Sequence, residues 1–196
     1  MRESSPFRTS TWQYLGPTNV SGRATDVAVA DVAGIRHLYV AYATSGVWKS
    51  EDEGKTWRAI FEHEASTSIG DVEVAPSNSN IVWVGTGEAN IFRASMAGVG
   101  VYKSTDAGKT FTHMGLADTQ TISRILVHPT NPEIVYVAAS GHEWTDNEMR
   151  GVFKTTNGGS TWTKVLYKSP RTGAIDLVMD PTDPNVLYAA MWQRIR

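Results

Sequence analysis

One pattern recurs three times along the chain, and it restricts the fold more than any other feature. Residues 46–57 read GVWKSEDEGKTW, residues 100–111 read GVYKSTDAGKTF, and residues 151–162 read GVFKTTNGGSTW. The opening glycines are 54 and 51 residues apart. A second element precedes each copy or follows the last: an apolar run, a turn rich in Pro, Asn and Asp, then another apolar run. It occupies 72–84, 125–137 and 177–189, with a looser form at 27–40 that lacks the prolines. Each such element reads as two strands joined by a turn.

The repeat therefore holds four short strands, A to D. A and B flank the proline turn, C is the Gly-Val-aromatic-Lys stretch, and D starts at the Thr-aromatic pair. A further D-like stretch stands at 11–15, after a tail at 1–10. A four-stranded unit of roughly 40–50 residues is a propeller blade, which buries its faces only by stacking on its neighbours. The expected fold is all-β: a β-propeller of antiparallel four-stranded blades at 20–60, 69–114 and 122–166, with a half blade at 174–190. Closed propellers have about 4–8 blades. The arc is thus expected to be incomplete, and to continue in a longer protein or against a second chain.

The C–D segment has the chemistry of a tight turn. Ser50, Ser104 and Thr155 supply a hydroxyl where strand C ends. Asp52, Asp106 and Asn157 can accept from main-chain N–H groups two residues on, as in Asx turns. Gly54, Gly108 and Gly159 admit a positive φ. Thr56, Thr110 and Thr161 restart the strand, and Trp57, Phe111 and Trp162 bury a ring between sheets. The expected role is structural, because Asn157 replaces the acid without loss to a turn. The spacing lacks the later Glu of an EF-hand loop, so no metal is expected. With 18 Lys and Arg against 20 Asp and Glu, the chain shows no basic excess for nucleic acid. It has no cysteine for disulfides or thiolate sites, and no apolar run of membrane-spanning length. No cofactor motif is present: the stretch 98–104 has Tyr102 where a phosphate loop needs glycine.

In a four-stranded blade the A–B and C–D turns share one end, and the B–C and D–A loops share the other. The long B–C loops at 85–98 and 139–150 carry Glu88, Asn90, Arg93, His142, Glu143 and Trp144. Strand A lies nearest the axis, and Arg23, Asp26, Asp71, Arg124 and Asp176 fall at or just before the A strands. Asp26, Asp71, Glu88 and Asp176 are the acid/base candidates if the chain hydrolyses a glycosidic bond. Arg23, Asn90, Arg93, Arg124, His142, Glu143 and Trp144 are ligand-binding candidates. The competing expectation is that the charged A-strand residues pair and hold the blades together.

Read with Trp12–Asp26, the Gly-Thr-Gly-Glu loop at 85–88 and Met-Trp-Gln-Arg at 191–194, the repeats resemble the bacterial Asp-box (BNR) propellers. This group is labelled glycosyl hydrolase or sortilin/VPS10 N-terminal-like. The resemblance implies further blades and an exported, extracytoplasmic protein, although no signal peptide is visible. Sialidases share Asp boxes and use an arginine triad; Arg23, Arg93 and Arg124 stand at plausible heights, yet no arginine-isoleucine-proline signature is present. Xyloglucanase-type propellers use two carboxylates on separate domains, and sortilin receptors add a cysteine-rich module absent here. Three functions follow: a binding or scaffold propeller for a peptide or glycan, a sialidase- or xyloglucanase-like glycoside hydrolase fragment, or a purely structural module.

Overall fold

The computed structural model describes residues 22–90 and 95–194. The expected tail at 1–10, the strand at 11–15 and Arg93 lie outside the described residues. What is described is almost entirely β-structure, with one short 3-10 turn at Ala117–Thr119. The first sheet is β1 (Ala24–Val32), β2 (Ile35–Tyr42), β3 (Gly46–Ser50) and β4 (Arg58–Ala59). The second is β5 (Ile69–Val74), β6 (Val82–Thr86), β7 (Val101–Ser104) and β8 (Thr112–His113). The third is β9 (Ile122–Val127), β10 (Val135–Ala139), β11 (Gly151–Thr155) and β12 (Thr163–Leu166). A hairpin of β13 (Thr172–Met179) and β14 (Leu187–Gln193) follows. All neighbours are antiparallel and ordered as in the sequence, so each sheet is one up-and-down blade.

Period-two alternation explains the stacking. On β5, Val72 and Val74 face the first sheet and join Ala28, Ala30, Tyr39, Ala41 and Val47 in one core. On β6, Trp83 faces the other way and packs with Ile125, Val127, Val137 and Trp162. A third core places Tyr136, Ala138 and Val152 against Ala174 and Leu177. Each sheet thus has a backward face of branched aliphatics and a forward face led by an aromatic residue. The leading strands β1, β5, β9 and β13 lie against one another in turn, which puts them innermost.

The C–D turns fold by side-chain to main-chain bonding. Ser50 Oγ donates to Asp52 Oδ1 (2.8 Å) and accepts from the Gly54 N–H (2.8 Å). Asp52 accepts from the Thr56 N–H at 2.8 Å and from the Thr56 hydroxyl at 2.6 Å. The second turn repeats this through Ser104, Asp106, Gly108 and Thr110. The third does so through Thr155, Asn157, Gly159 and Thr161. Three details depart from the sequence reading. The Asp or Asn oxygen accepts from the main-chain N–H four residues on, at Thr56, Thr110 and Thr161, where a bond two residues on is expected of an Asx turn. Strands β4, β8 and β12 begin two residues after the threonines, because Thr56, Thr110 and Thr161 are held inside the turn by the Asp or Asn. The residue before each glycine is also left-handed: Glu53 has φ 61°, Ala107 59° and Gly158 65°.

Candidate functional site

The four leading strands share one irregularity. In each, a single residue is unpaired between two ladder partners: Thr25 in β1, Gly70 in β5, Ser123 in β9 and Ile175 in β13. These are β-bulges, which turn the neighbouring side chains off the regular pleat. At Gly70 the sheets approach so closely that a Cβ would collide with the Ile122 carbonyl. All four bulge residues line one cavity of about 460 Å³ at the loop end of the axis, together with Asp71, Asn90, Arg124, Asp176 and Trp192.

The residue after each bulge holds an equivalent place in its sheet, paired to Ala41, Gly85, Ala138 and Ala190 respectively. These residues are Asp26, Asp71, Arg124 and Asp176. Asp26 accepts from the Val72 N–H of the next sheet at 3.2 Å, and Asp71 from the Ile125 N–H of the next sheet at 2.8 Å. In the third sheet the position is filled by a guanidinium. Arg124 pairs with Asp71 at 3.0 Å, Asp176 at 3.2 Å and Asp26 at 3.5 Å. Asp176 turns the same oxygen onto the Leu177 N–H at 2.9 Å.

Electrostatics follow from this crowding. Burial and the Asp26 charge push the Asp71 carboxyl well above the usual range, against the pull of Arg124 and the Ile125 N–H. Glu73, two residues along the same face, rises to about 7, chiefly by burial, then through Asp26, with Arg124 opposing. The guanidinium of Arg124 is held more firmly protonated by the carboxylates around it, which outweigh its own burial. Access differs sharply within the cluster: the Asp71 side chain is 2% exposed and that of Asp176 50%.

The remaining candidates lie around this centre. Glu88 is buried and pairs with Arg23, whose Nε donates to Oε1 at 2.9 Å. Asn90 lines the axial cavity. His142 bonds Asp118 and Thr145 on its loop, at 3.2 Å each. Glu143 pairs with Arg194 at 3.2 Å, and Trp144 is displayed at 60% exposure. The loop at 139–150 is held by Arg150, a buried guanidinium donating to the carbonyls of Ser140, His142 and Thr145. Sequence reasoning missed Glu73, Trp192 and the bulge residues. Alternation from Asp71 identifies Glu73. Trp192 was placed after the last strand, whereas β14 runs through it. The bulges depend on pairing register, for which the sequence has no local signal. Among the described residues no cluster of three or more His, Asp or Glu is arranged to hold a metal, and no helix is long and apolar enough to cross a membrane.

No protein-family model matches the chain. A probable oligoxyloglucan-reducing end-specific xyloglucanase of Neosartorya fischeri is 29% identical over 191 residues, covering 94% of this chain and 22% of that protein. Among solved structures, an ancestral GH74 enzyme superposes with a TM-score of 0.70 at 25% identity, covering 91% of this chain and 23% of the other. The GH74 enzyme of Niastella koreensis has a TM-score of 0.63 at 22% identity, covering 87% and 26%. The chain spans about a quarter of the length of these relatives. Its fold is that of part of a β-propeller, and its relatives are glycoside hydrolases.

Proposed function

We propose that this chain is a glycan-binding arc of a glycoside-hydrolase propeller, in which the axial carboxylates hold the blades in register instead of cleaving the sugar. The observation that carries this reading is how the carboxylates are occupied. Asp26 and Asp71 each give one oxygen to a main-chain N–H of the next sheet and the other to Arg124. A nucleophile or general base needs a lone pair open to substrate, and glycoside hydrolysis needs two such groups. Asp176 alone in the cluster is half open.

The cavity itself suits a sugar. Asn90 and Asp176 offer amide and carboxylate groups that match hydroxyls as donors and acceptors. Trp192 adds a ring, 45% exposed, for the apolar face of a pyranose. Of the two ligand classes open at the sequence level, glycan is favoured over peptide by the xyloglucanase relatives, and a xyloglucan oligosaccharide is the probe of choice. We also read the three C–D turns as Asp boxes, with Ser50, Asp52, Ser104, Asp106, Thr155 and Asn157 in structural roles, and the parent protein as exported.

The test is calorimetry with a xyloglucan oligosaccharide beside chromatography of the incubated sugar. The expected result is saturable binding, weakened about tenfold by Trp192→Ala, with no shortened products. Cleavage abolished by Asp176→Asn would make the chain itself a hydrolase. Absence of binding would remove the glycan reading.

A further inference from the structure

Away from the axial cavity, at the turn end of the sheets, the first and second C–D turns meet at one junction and the second and third at another. Both junctions use the same parts. A lysine of the preceding sheet lies over a forward-facing ring, Lys49 over Tyr39 and Lys103 over Trp83, each 5.3 Å from the ring centre. The lysine donates to a carbonyl of the next turn: Lys49 to Ala107 at 2.9 Å, Lys103 to Gly158 at 3.2 Å. The glycine that follows packs on the same ring. A Cβ on Gly108 would stand 3.6 Å from Tyr39 Cε1, and one on Gly159 would stand 2.7 Å from Trp83 Cη2. The Ala107 N–H donates to the Asn80 carbonyl at 2.8 Å, and the Gly158 N–H to the Glu133 carbonyl at 3.0 Å.

The two junctions differ in the acid that answers the lysine. At the first it is Glu51, one residue after Ser50 on the lysine's own turn. Glu51 pairs with Lys49 at 2.6 Å and leaves that side chain 1% exposed. At the second junction Thr105 stands in the place of Glu51, and a hydroxyl cannot replace the carboxylate. The acid comes from the opposite side, where Glu133 stands in the place of Asn80. Glu133 lies 3.6 Å from Lys103, outside hydrogen-bond reach, and leaves the lysine 12% exposed. A cavity of about 300 Å³ opens beside them, at the lower end of the roughly 300–1,000 Å³ usual for ligand sites. Lys103 and Glu133 stand in its wall with Met114 and the exposed hydroxyls of Thr105, Thr112 and Ser160.

We infer that this turn-end cavity binds a neutral sugar through a vicinal diol. An ammonium donor and a carboxylate acceptor 3.6 Å apart, neither satisfying the other, match two adjacent hydroxyls. One hydroxyl accepts from Lys103 Nζ, and the other donates to Glu133 Oε1. Both bonds are charge-assisted, the stronger kind. Thr105, Thr112 and Ser160 meet further hydroxyls of the sugar, and the flexible Met114 side chain gives its ring an apolar contact. An anionic ligand is disfavoured because Glu133 would stand beside its charge, and a cationic one because Lys103 would. The cavity shares no residue with the axial one, so binding at either end is independent of the other.

The test is NMR of the isotopically labelled chain titrated with glucose, with glucuronate as the charged control. The expected result is saturable shifts at Lys103, Thr105, Thr112 and Ser160 with glucose, and none there with glucuronate. Glu133→Gln weakens binding about tenfold, the loss of one hydrogen bond to a charged group. Thr105→Glu restores the acid of the first junction, occupies Lys103 as Glu51 occupies Lys49, and abolishes the shifts. Both substitutions are at exposed positions, which the fold tolerates. No shifts at the turn end, equal shifts with glucuronate, or binding indifferent to Thr105→Glu would overturn the inference. Glucose shifts confined to the axial cavity would overturn it too, while leaving the glycan reading of that cavity in place.

Discussion

Arg124 occupies the place that Asp26, Asp71 and Asp176 hold in the other leading strands, and the energetics of the axis turn on that exchange. A carboxylate there would add a fourth negative charge to the same small space. The guanidinium instead draws the three carboxylates together. Replacing it by Leu leaves the buried Asp71 with its N–H donor and no counter-charge. Loss of one partner of a buried pair costs about 3–5 kcal/mol, and the 37% exposure of Arg124 screens part of that. We expect urea unfolding of Arg124→Leu to show a loss of about 1–2 kcal/mol, and Arg124→Asp a larger one. Unchanged midpoints would mean the cluster does not hold the sheets. Glu73 gives a second prediction. Its carboxyl, at about 7 in the fold against 4.5 ordinarily, keeps a proton that the unfolded chain releases. Stability therefore falls as pH rises from about 4.5 through about 7. Glu73→Gln removes that dependence, so its melting temperature should exceed that of the wild type at pH 8 and match it near pH 4. The charged residues of the axis are legible in the sequence because they stand at one register of a repeat. Their partners are not, because the bulges that aim them arise only when two strands pair.

At the scale of the element, the C–D turn shows how much one acid can organise. Asp52 accepts from both the N–H and the hydroxyl of Thr56, and these bonds lower its carboxyl to about 2. Asn157 repeats the geometry with an amide whose nitrogen donates to Thr161 Oγ1 at 2.9 Å. Asp52→Asn should therefore leave the melting temperature at pH 7 nearly unchanged, while Asp52→Ala lowers it. The depressed carboxyl contributes stability above about 3.8 that is lost as pH falls through about 2. The gap between wild type and Asp52→Ala should close in that window, and a gap that persists in acid would contradict the assignment. Serine, acid, glycine and threonine at fixed spacing made this turn readable. The late start of β4, β8 and β12 was not, since the threonine looks like a strand residue until its bond to the acid is known. The close packing of Gly108 and Gly159 on the preceding sheet was also invisible, because it joins residues far apart in the chain.

Across the whole molecule, the same arrangement passes from sheet to sheet. Backward faces carry Val72, Val74, Ile125, Val127 and Leu177; forward faces carry Tyr39, Trp83, Tyr136 and Tyr188. The interior members are buried, whereas Val27, Val29, Val178 and Tyr188 on the outer faces are 52–64% exposed. Repetition made the blades legible from the sequence, and alternation made the two faces legible. The axial cavity was not, because four separate sheets contribute its wall. Trp192 belongs to that wall only because β14 extends through it. Whether this wall binds a sugar without cutting it can be read by NMR mapping of a xyloglucan oligosaccharide titrated into the labelled chain. The expected result is saturable shifts confined to Thr25, Asn90, Ser123, Ile175 and Trp192, with the oligosaccharide intact at the end of the titration. Shifts centred elsewhere, none at all, or a sugar shortened during the experiment would contradict it.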